Sequence, residues 1–411
     1  MRAFTTGLAI AAAVATMGAS APGGTNLWAE AQAVKAEQLQ FLSTLVNIDS
    51  GTGDEAGGRK VEALLMPKLR ALGASITTVP AEADGLPPNL VATWSGTGTT
   101  RILMIGHIDT VFGPGTVATR PYHVEGDHAR GPGVADEKGG VVEGLYAMKL
   151  LRKAGFKNFK TITFLMETSE EKGSPGTRKL IQKLVGDADV EFNLEPGDPP
   201  DLITVWRKGS ATFHIDVKGK AAHAGVNPQD GHNAAVELLH QLAGIEAFPH
   251  WGPGLTVNLT LMSAGTRANI IPDAASAQVN VRVRDMADFD KVERALVANS
   301  KHVVVPGTSV TVSREPAFPP LPDNKGTSAL ATRAEKIYAA IGMRLDEGGN
   351  GGASESALAA AAGVPALDGL GPVGGGFHSS DEYLDLNSVS PRLYLLTRLL
   401  MDVGETPPVP K

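Results

Sequence analysis

The chain of 411 residues contains no cysteine. Disulfides, thiol nucleophiles, iron–sulfur clusters and thiolate zinc sites are all excluded by that one absence, so any metal must be held by His, Asp and Glu. A basic excess is also missing. The 37 Lys+Arg against 44 Asp+Glu leave a formal charge of −7, which gives no field for a polyanion and argues against nucleic acid as a partner. Beyond the first residues no stretch has the length and purity of a membrane-spanning helix, so no membrane partner is expected. There is no G-x-S-x-G elbow for a serine hydrolase. The one G-x-G-x-x-G, Gly369–Gly374, contains Pro372 and runs into more glycines and His378 instead of a helix, so it is no dinucleotide site. What is present describes a soluble globular protein, with 42% hydrophobic and 20% charged residues and enough length for two or three domains and a buried active site. Glycine is abundant, at 48 residues, and predicts many tight turns and close backbone approaches.

The N-terminus carries Arg2, an apolar stretch from about Gly7 to Met17, and small residues from Gly18 to Ala21. A positive start, a short apolar run and the Ala19-x-Ala21 ending predict a signal peptide over residues 1–21 and a periplasmic or secreted protein. The alternative is a buried or frayed N-terminal helix. From residue 26 to 205 helical and strand signals alternate. Val61–Leu72 and Val141–Leu151 have helical spacing, while Ile102–Ile105, Thr161–Met166 and Val190–Leu194 look like buried strands. Such alternation predicts an α/β domain with a mixed, largely parallel sheet, whose ligands collect at the carboxyl ends of the strands. Over residues 206–316 the texture changes. Ala211–Val217, Leu255–Met262 and Ser276–Val283 alternate in polarity, with helical patterns at Asn233–Ile245 and Phe289–Val297. This predicts an inserted α+β domain made of an antiparallel sheet with two helices. The Pro-rich run Pro316–Pro322 reads as a linker, and residues 317–411, with helical patterns at Thr327–Ile341 and Pro391–Met401, rejoin the first domain.

Acidic and histidine residues follow the predicted buried strands of the first domain. His107 and Asp109 follow the first, Glu170 and Glu171 the second, and Glu195 the third. Asp136 lies in a Gly-rich turn leading into a helix, and His378 follows a glycine run. Singly, each is weak: a strand-end histidine is usually structural, and an adjacent Glu-Glu pair is usually a solvated charge run. As a set, two His and three carboxylates suit zinc, cobalt or manganese and build a paired-metal site if one carboxylate bridges. Paired ions lower the pKa of a shared water and polarise a scissile carbonyl. Asp109, two residues from His107, is placed to hold its other ring nitrogen, and Glu170 is a natural general base.

The stretches GHIDTV, GPGVADEKGG, ETSEEKGSPGTR, FNLEP, GKAAHAG, NIIP and GFHSSDEYLD resemble, in order and over nearly the whole mature chain, the dinuclear zinc aminoacylase/carboxypeptidase family of metallopeptidases. The resemblance implies a zinc-binding α/β domain interrupted by a smaller dimerisation domain, two Zn(2+) per subunit and a homodimer. Asp136 then corresponds to the bridging carboxylate, often followed by a cis peptide. His107 and Glu195 would complete one zinc, Glu171 and His378 the other. Glu170 would be the general base and Asp109 the acid that orients His107. His223 resembles the histidine that reaches into the partner subunit's site; read by itself it is a loop histidine capping a turn. Asn269 and Arg282 resemble substrate-binding residues, with Arg282 suited to a substrate carboxylate, although by pattern alone it is equally a surface charge, and Arg284 on the same face is a possible substitute.

The implied reaction is hydrolysis of the amide bond to a C-terminal amino acid, glutamate or another, in folate-like, N-acyl amino acid or small peptide substrates bearing a free carboxylate. Aminoacylase, dipeptidase or aminopeptidase activity are alternatives within the family, and a non-catalytic binding protein on the same fold is the alternative outside it. Two departures stand out. Glu355 stands where the family usually has Asp, and GDPPDLITVW between Glu195 and Arg207 supplies no cation for a glutamate side chain.

Overall fold

The structure, a computed structural model, describes residues 26–408; the predicted signal peptide therefore lies outside the described residues. Its first core forms around a six-stranded sheet in the order Ser75–Val79, Asn89–Ser95, Thr161–Glu167, Arg101–His107, Val190–Asn193 and Ala366–Leu367. The first two pairings are antiparallel and the remaining three parallel, so the sheet is mixed, with its parallel part at the centre and far edge. Successive side chains of a strand point to opposite faces, and both faces here are apolar. Ile102, Met104, Ile162 and Phe164 pack into the larger cluster, with helices Leu27–Val46, Glu55–Ala71, Lys138–Lys153, Lys325–Ala339 and Val389–Glu405. Leu103, Ile105 and Leu165 face the other way, onto Ile181 and Val185 of the helix Arg178–Gly186 and Ala359 of the helix Ser356–Ala361. Each fully buried Phe, Leu or Ile contributes on the order of 1.5–3 kcal/mol. That reward drives the three-layer stack.

A second core belongs to a four-stranded antiparallel sheet in the order Thr256–Ala264, Ala274–Val283, Gly209–Lys218 and Ser309–Arg314. Ala274–Val283 alternates between buried and half-exposed residues, and its buried face meets helices Ala234–Ala243 and Met286–Ser300 through Val279, Val281, Phe289 and Val292. Strand Thr256–Ala264 differs: from Asn258 onward it is exposed, leaving Leu259, Leu261 and Met262 in solvent on a sheet edge.

The Pro-rich run is more than a linker. Phe318 and Leu321 are buried, and their backbones pair with those of Ser210 and Arg207, so the chain returns to the first core alongside the strand by which it left. A smaller sheet joins hairpin His123–Glu125 and His128–Arg130 to Tyr383–Asp385, Gly371–Gly375 and Pro196–Gly197, which brings the C-terminal glycine run beside the turn that carries Asp136. Among the described residues no helix is long and apolar enough to cross a membrane.

Candidate active site

His107 ends the strand Arg101–His107, level with Glu167 on the neighbouring parallel strand, while Ile105 lies opposite Asn193 on the next. Equal register sets the next few residues of all three strands around one crevice, which is how Glu170, Glu171 and Glu195 come to face His107. The fourth side of the crevice is the turn before helix Lys138–Lys153, with a cis peptide between Asp136 and Glu137. Helix and sheet approach closely here: a Cβ on Gly140 would stand 2.0 Å from the Leu194 carbonyl oxygen, so only glycine fits.

Asp136 sits between the two histidines. Its Oδ1 is 3.1 Å from His107 Nε2, and its Oδ2 is 3.3 Å from His378 Nε2. His107 Nε2 also lies 3.5 Å from Glu195 Oε1, and His378 Nε2 lies 3.1 Å from Glu171 Oε2. Two groups therefore share one carboxylate. Donor atoms about 2.0–2.1 Å from a tetrahedral ion stand about 3.3 Å apart, so these spacings fit metal coordination. Glu137 is also near, with Oε2 at 3.6 Å from His107 Nε2, but that oxygen already accepts the His107 backbone N–H at 3.1 Å. Its partner Oε1 is buried and has no hydrogen bond. The donor set His107, Asp136 and Glu171, like the set His107, Glu137 and Glu195, offers ligand atoms all within 4.8 Å of one another.

The electrostatics agree with a cation site. Buried carboxylates in excess of buried cations are costly unless paired or neutralised. Burial, then the Asp136 charge, pushes Glu195 up to about 7, and burial followed by Glu355 drives Glu170 well above the ordinary carboxyl range. His378 is raised to about 10 by its hydrogen bonds to Asp136 and Glu171. For His107, burial opposes protonation but is outweighed by the carboxylates of Asp109, Asp136 and Glu195. His378 itself holds φ +61, an uncommon conformation for a residue other than glycine.

Asp109 reaches His107 Nδ1 mainly through its backbone carbonyl, at 3.0 Å; its Oδ1 is farther, at 3.4 Å. The carboxylate has a second task, accepting from the Thr52 hydroxyl at 2.6 Å and from the backbone N–H groups of Glu170 and Glu171 at 3.2 and 3.3 Å. Asp109 thus orients the histidine and the Glu-Glu pair together, which spacing in the sequence does not reveal.

A cavity of about 450 Å³ opens onto Asp136, Glu170, Glu171, Glu195 and His378. Arg282 lines it, held by Asn280 Oδ1 at 2.9 Å and the Gly351 carbonyl at 3.3 Å. Arg284 does not substitute for it: its guanidinium stacks 3.9 Å over Trp206 and pairs with Asp323 at 3.0 Å. Although the stretch after Glu195 supplies no cation, the cavity is not without them, because Lys172, just after Glu171, and Arg178, at the start of helix Arg178–Gly186, line it. Arg207 is spoken for by Asp368, with two bonds of 2.7 Å. Glu355 lies outside the cavity lining; its longer side chain is buried and accepts from Ser174 at 3.0 Å and Asn193 at 3.2 Å. His223 and Asn269 are exposed on the four-stranded-sheet unit and do not line the cavity. They adjoin one another, with Ala224 N–H donating to the Asn269 carbonyl at 3.0 Å and His223 pairing with Ile270.

Residues 103–402 match the family model of peptidase family M20/M25/M40. The chain belongs to this family. As an M20 peptidase it is a hydrolase of the metallopeptidase class, and the His/Asp/Glu cluster just described is its metal-compatible site. It is similar to carboxypeptidase G2 of Pseudomonas sp. (strain RS-16), at 35% identity over 369 residues covering 89% of each chain. It is also similar to the succinyl-diaminopimelate desuccinylase of Gluconacetobacter diazotrophicus, at 29% identity over 84% of this chain and 91% of that one. Among solved structures, an M20 family metallo-carboxypeptidase from Sulfolobus solfataricus shares the fold with a TM-score of 0.73 at 16% identity, covering 90% of this M20 chain and 99% of the other. A tripeptidase from Staphylococcus aureus does so with a TM-score of 0.74 at 20% identity, covering 90% and 99%.

Proposed function

We propose that this M20 peptidase is a dinuclear zinc carboxypeptidase that releases a C-terminal amino acid from N-acyl, folate-like or small peptide substrates. The observation that carries the reading is Asp136, whose two oxygens face two different histidines, each with its own glutamate. His107 and Glu195 would hold one ion, His378 and Glu171 the other, with Asp136 between them; cobalt or manganese are chemically acceptable substitutes. Zinc bound there supplies an acidified water and a Lewis acid for the scissile carbonyl.

The chain's own groups do the rest. Glu170, whose carboxyl is raised above the ordinary range by burial and then by Glu355, takes a proton from water and returns it to the leaving nitrogen. Arg282 is desolvated, has no salt-bridge partner among the described residues, and is a bidentate clamp for the substrate's free carboxylate. That clamp favours a carboxypeptidase over an aminopeptidase. Sequence similarity to carboxypeptidase G2 supports the same reading.

His223 Nδ1 accepts from the Gly225 and Val226 N–H groups, both at 3.1 Å, which leaves the ring proton on Nε2, free to donate. Being exposed and outside the cavity lining, His223 and Asn269 would act in the site of a second subunit, where His223 steadies the oxyanion. The exposed apolar edge Leu259, Leu261 and Met262 supports a homodimer formed on that sheet. The N-terminal pattern of residues 1–21 supports export to the periplasm or beyond.

The test is mass-spectrometric product analysis of the zinc-loaded protein on N-acyl amino acids ending in Glu, Phe or Leu and on their carboxamides. Free amino acid is expected only from substrates with a free carboxylate. Cleavage of the carboxamides at equal rates, or of none of the panel, would overturn the reading.

A further inference from the structure

Two stretches distant in sequence supply adjoining parts of the site: the turn carrying Asp136 and the glycine-rich loop carrying His378. Glu382 joins them. Its side chain, in a residue only 1% exposed, points from the second stretch into the first. Its Oε1 accepts the backbone N–H of Ala135 at 3.0 Å and of Asp136 at 3.2 Å, and its Oε2 accepts that of Gly133 at 3.0 Å. Among the described residues no Arg, Lys or His lies within salt-bridge distance of it, so the three backbone donors satisfy its carboxylate. A glutamine would aim an NH2 group at one of them.

Glu382 is itself anchored on both sides. Before it, Asp381 O accepts from Arg130 Nη1 and Ser379 O from Arg120 Nη1, both at 3.0 Å. After it, Tyr383–Asp385 pairs with His128–Arg130. The two arginines grip the loop of His378, whereas Glu382 grips the backbone of Asp136 directly.

We propose that Glu382 is a positioning residue which sets the Asp136 carboxylate between His107 and His378, so that both cation positions depend on it. This rests on the dinuclear reading above. Mutating a group that orients a ligand usually lowers metal affinity by about 10- to 100-fold. Because Asp136 serves both ions, Glu382→Gln is expected to weaken both by that order. Arg120→Ala loosens only the His378 loop and is expected to weaken one.

The experiment uses the full chain, stripped by chelation and titrated with Co2+, following visible absorbance and bound stoichiometry, with Tm measured alongside. Glu382→Asp keeps the charge but shortens the reach by one methylene; it stands in with the same expectation if the glutamine variant does not fold. Wild type taking up two ions, with Glu382→Gln holding both at unchanged affinity and only a lowered Tm, reduces Glu382 to a structural residue and overturns the proposal. Loss confined to a single ion overturns it as well. Wild type that takes up no Co2+ sinks the dinuclear reading and this inference with it.

Discussion

At the scale of single residues, the neighbours Glu170 and Glu171 show how position decides chemistry. Glu171 lies 3.1 Å from His378, while Glu170 keeps 4.0 Å from His107 and opens onto the cavity beside Arg282. Glu170→Gln, which keeps the shape and removes the base, is expected to retain its bound metal while kcat falls by about 10²–10⁴-fold. Metal analysis together with steady-state kinetics checks this. Near-normal turnover would remove Glu170 from the role of base. The residues that gather around the crevice each stand in a short local motif, so the sequence offers them as candidates. It does not offer their supports. Glu382 grips Asp136 across 246 positions of sequence, and the Arg178 guanidinium is held at the cavity wall partly by the returning Phe318, 4.7 Å away. Such pairings depend on tertiary closure and leave no local periodicity.

At the scale of elements, the longer amphipathic helices were readable from period 3.6, the central strands from their short apolar runs and those of the second sheet from period 2, with ends shifted by several residues; the short helices Arg178–Gly186 and Ser356–Ala361 were not read. Strand Asn89–Ser95 was not read: it directly follows the Pro87–Pro88 pair, which reads as a breaker. Helix Glu55–Ala71 carries a less visible conflict. Glu62 is on its buried face beside Val61 and Leu65, its Oε1 lacks a partner, and burial raises its carboxyl to about 7. The neutral form therefore favours the folded state. Its contribution is complete below the ordinary value near 4.5 and is lost as pH rises through about 7. Glu62→Gln is accordingly expected to raise Tm by a few degrees at pH 8, with the gain shrinking towards pH 5. Differential scanning calorimetry across that range checks the sign, and a gain larger at pH 5 than at pH 8 would contradict it.

At the scale of the whole molecule, the second sheet contributes in two directions. Arg282 turns inward to the cavity, whereas His223, Asn269 and the apolar edge face outward. If His223 works in a partner's site, two inactive chains should repair each other. Mixing Glu170→Ala and His223→Ala protein, with subunit exchange, should yield hybrid dimers with one complete site and activity that neither parent shows alone. Absence of recovery, with exchange verified by native mass spectrometry, would place His223 outside the reaction.

The two histidines of the site differ greatly in their access to water. His107 has a side chain 1% exposed at the base of the crevice, while that of His378 is 57% exposed at its rim. On the dinuclear reading proposed above, the two ions should therefore leave in sequence. A chelator in solution can attack the rim position, but must wait for the loop to open before it reaches the floor. Stopped-flow release is expected to be biphasic, the fast phase belonging to the His378 ion, so that a singly loaded protein accumulates on the way to the metal-free one. A protein that sheds its metals in a fixed order has a half-loaded state, and the supply of metal can then set its activity in two steps instead of one.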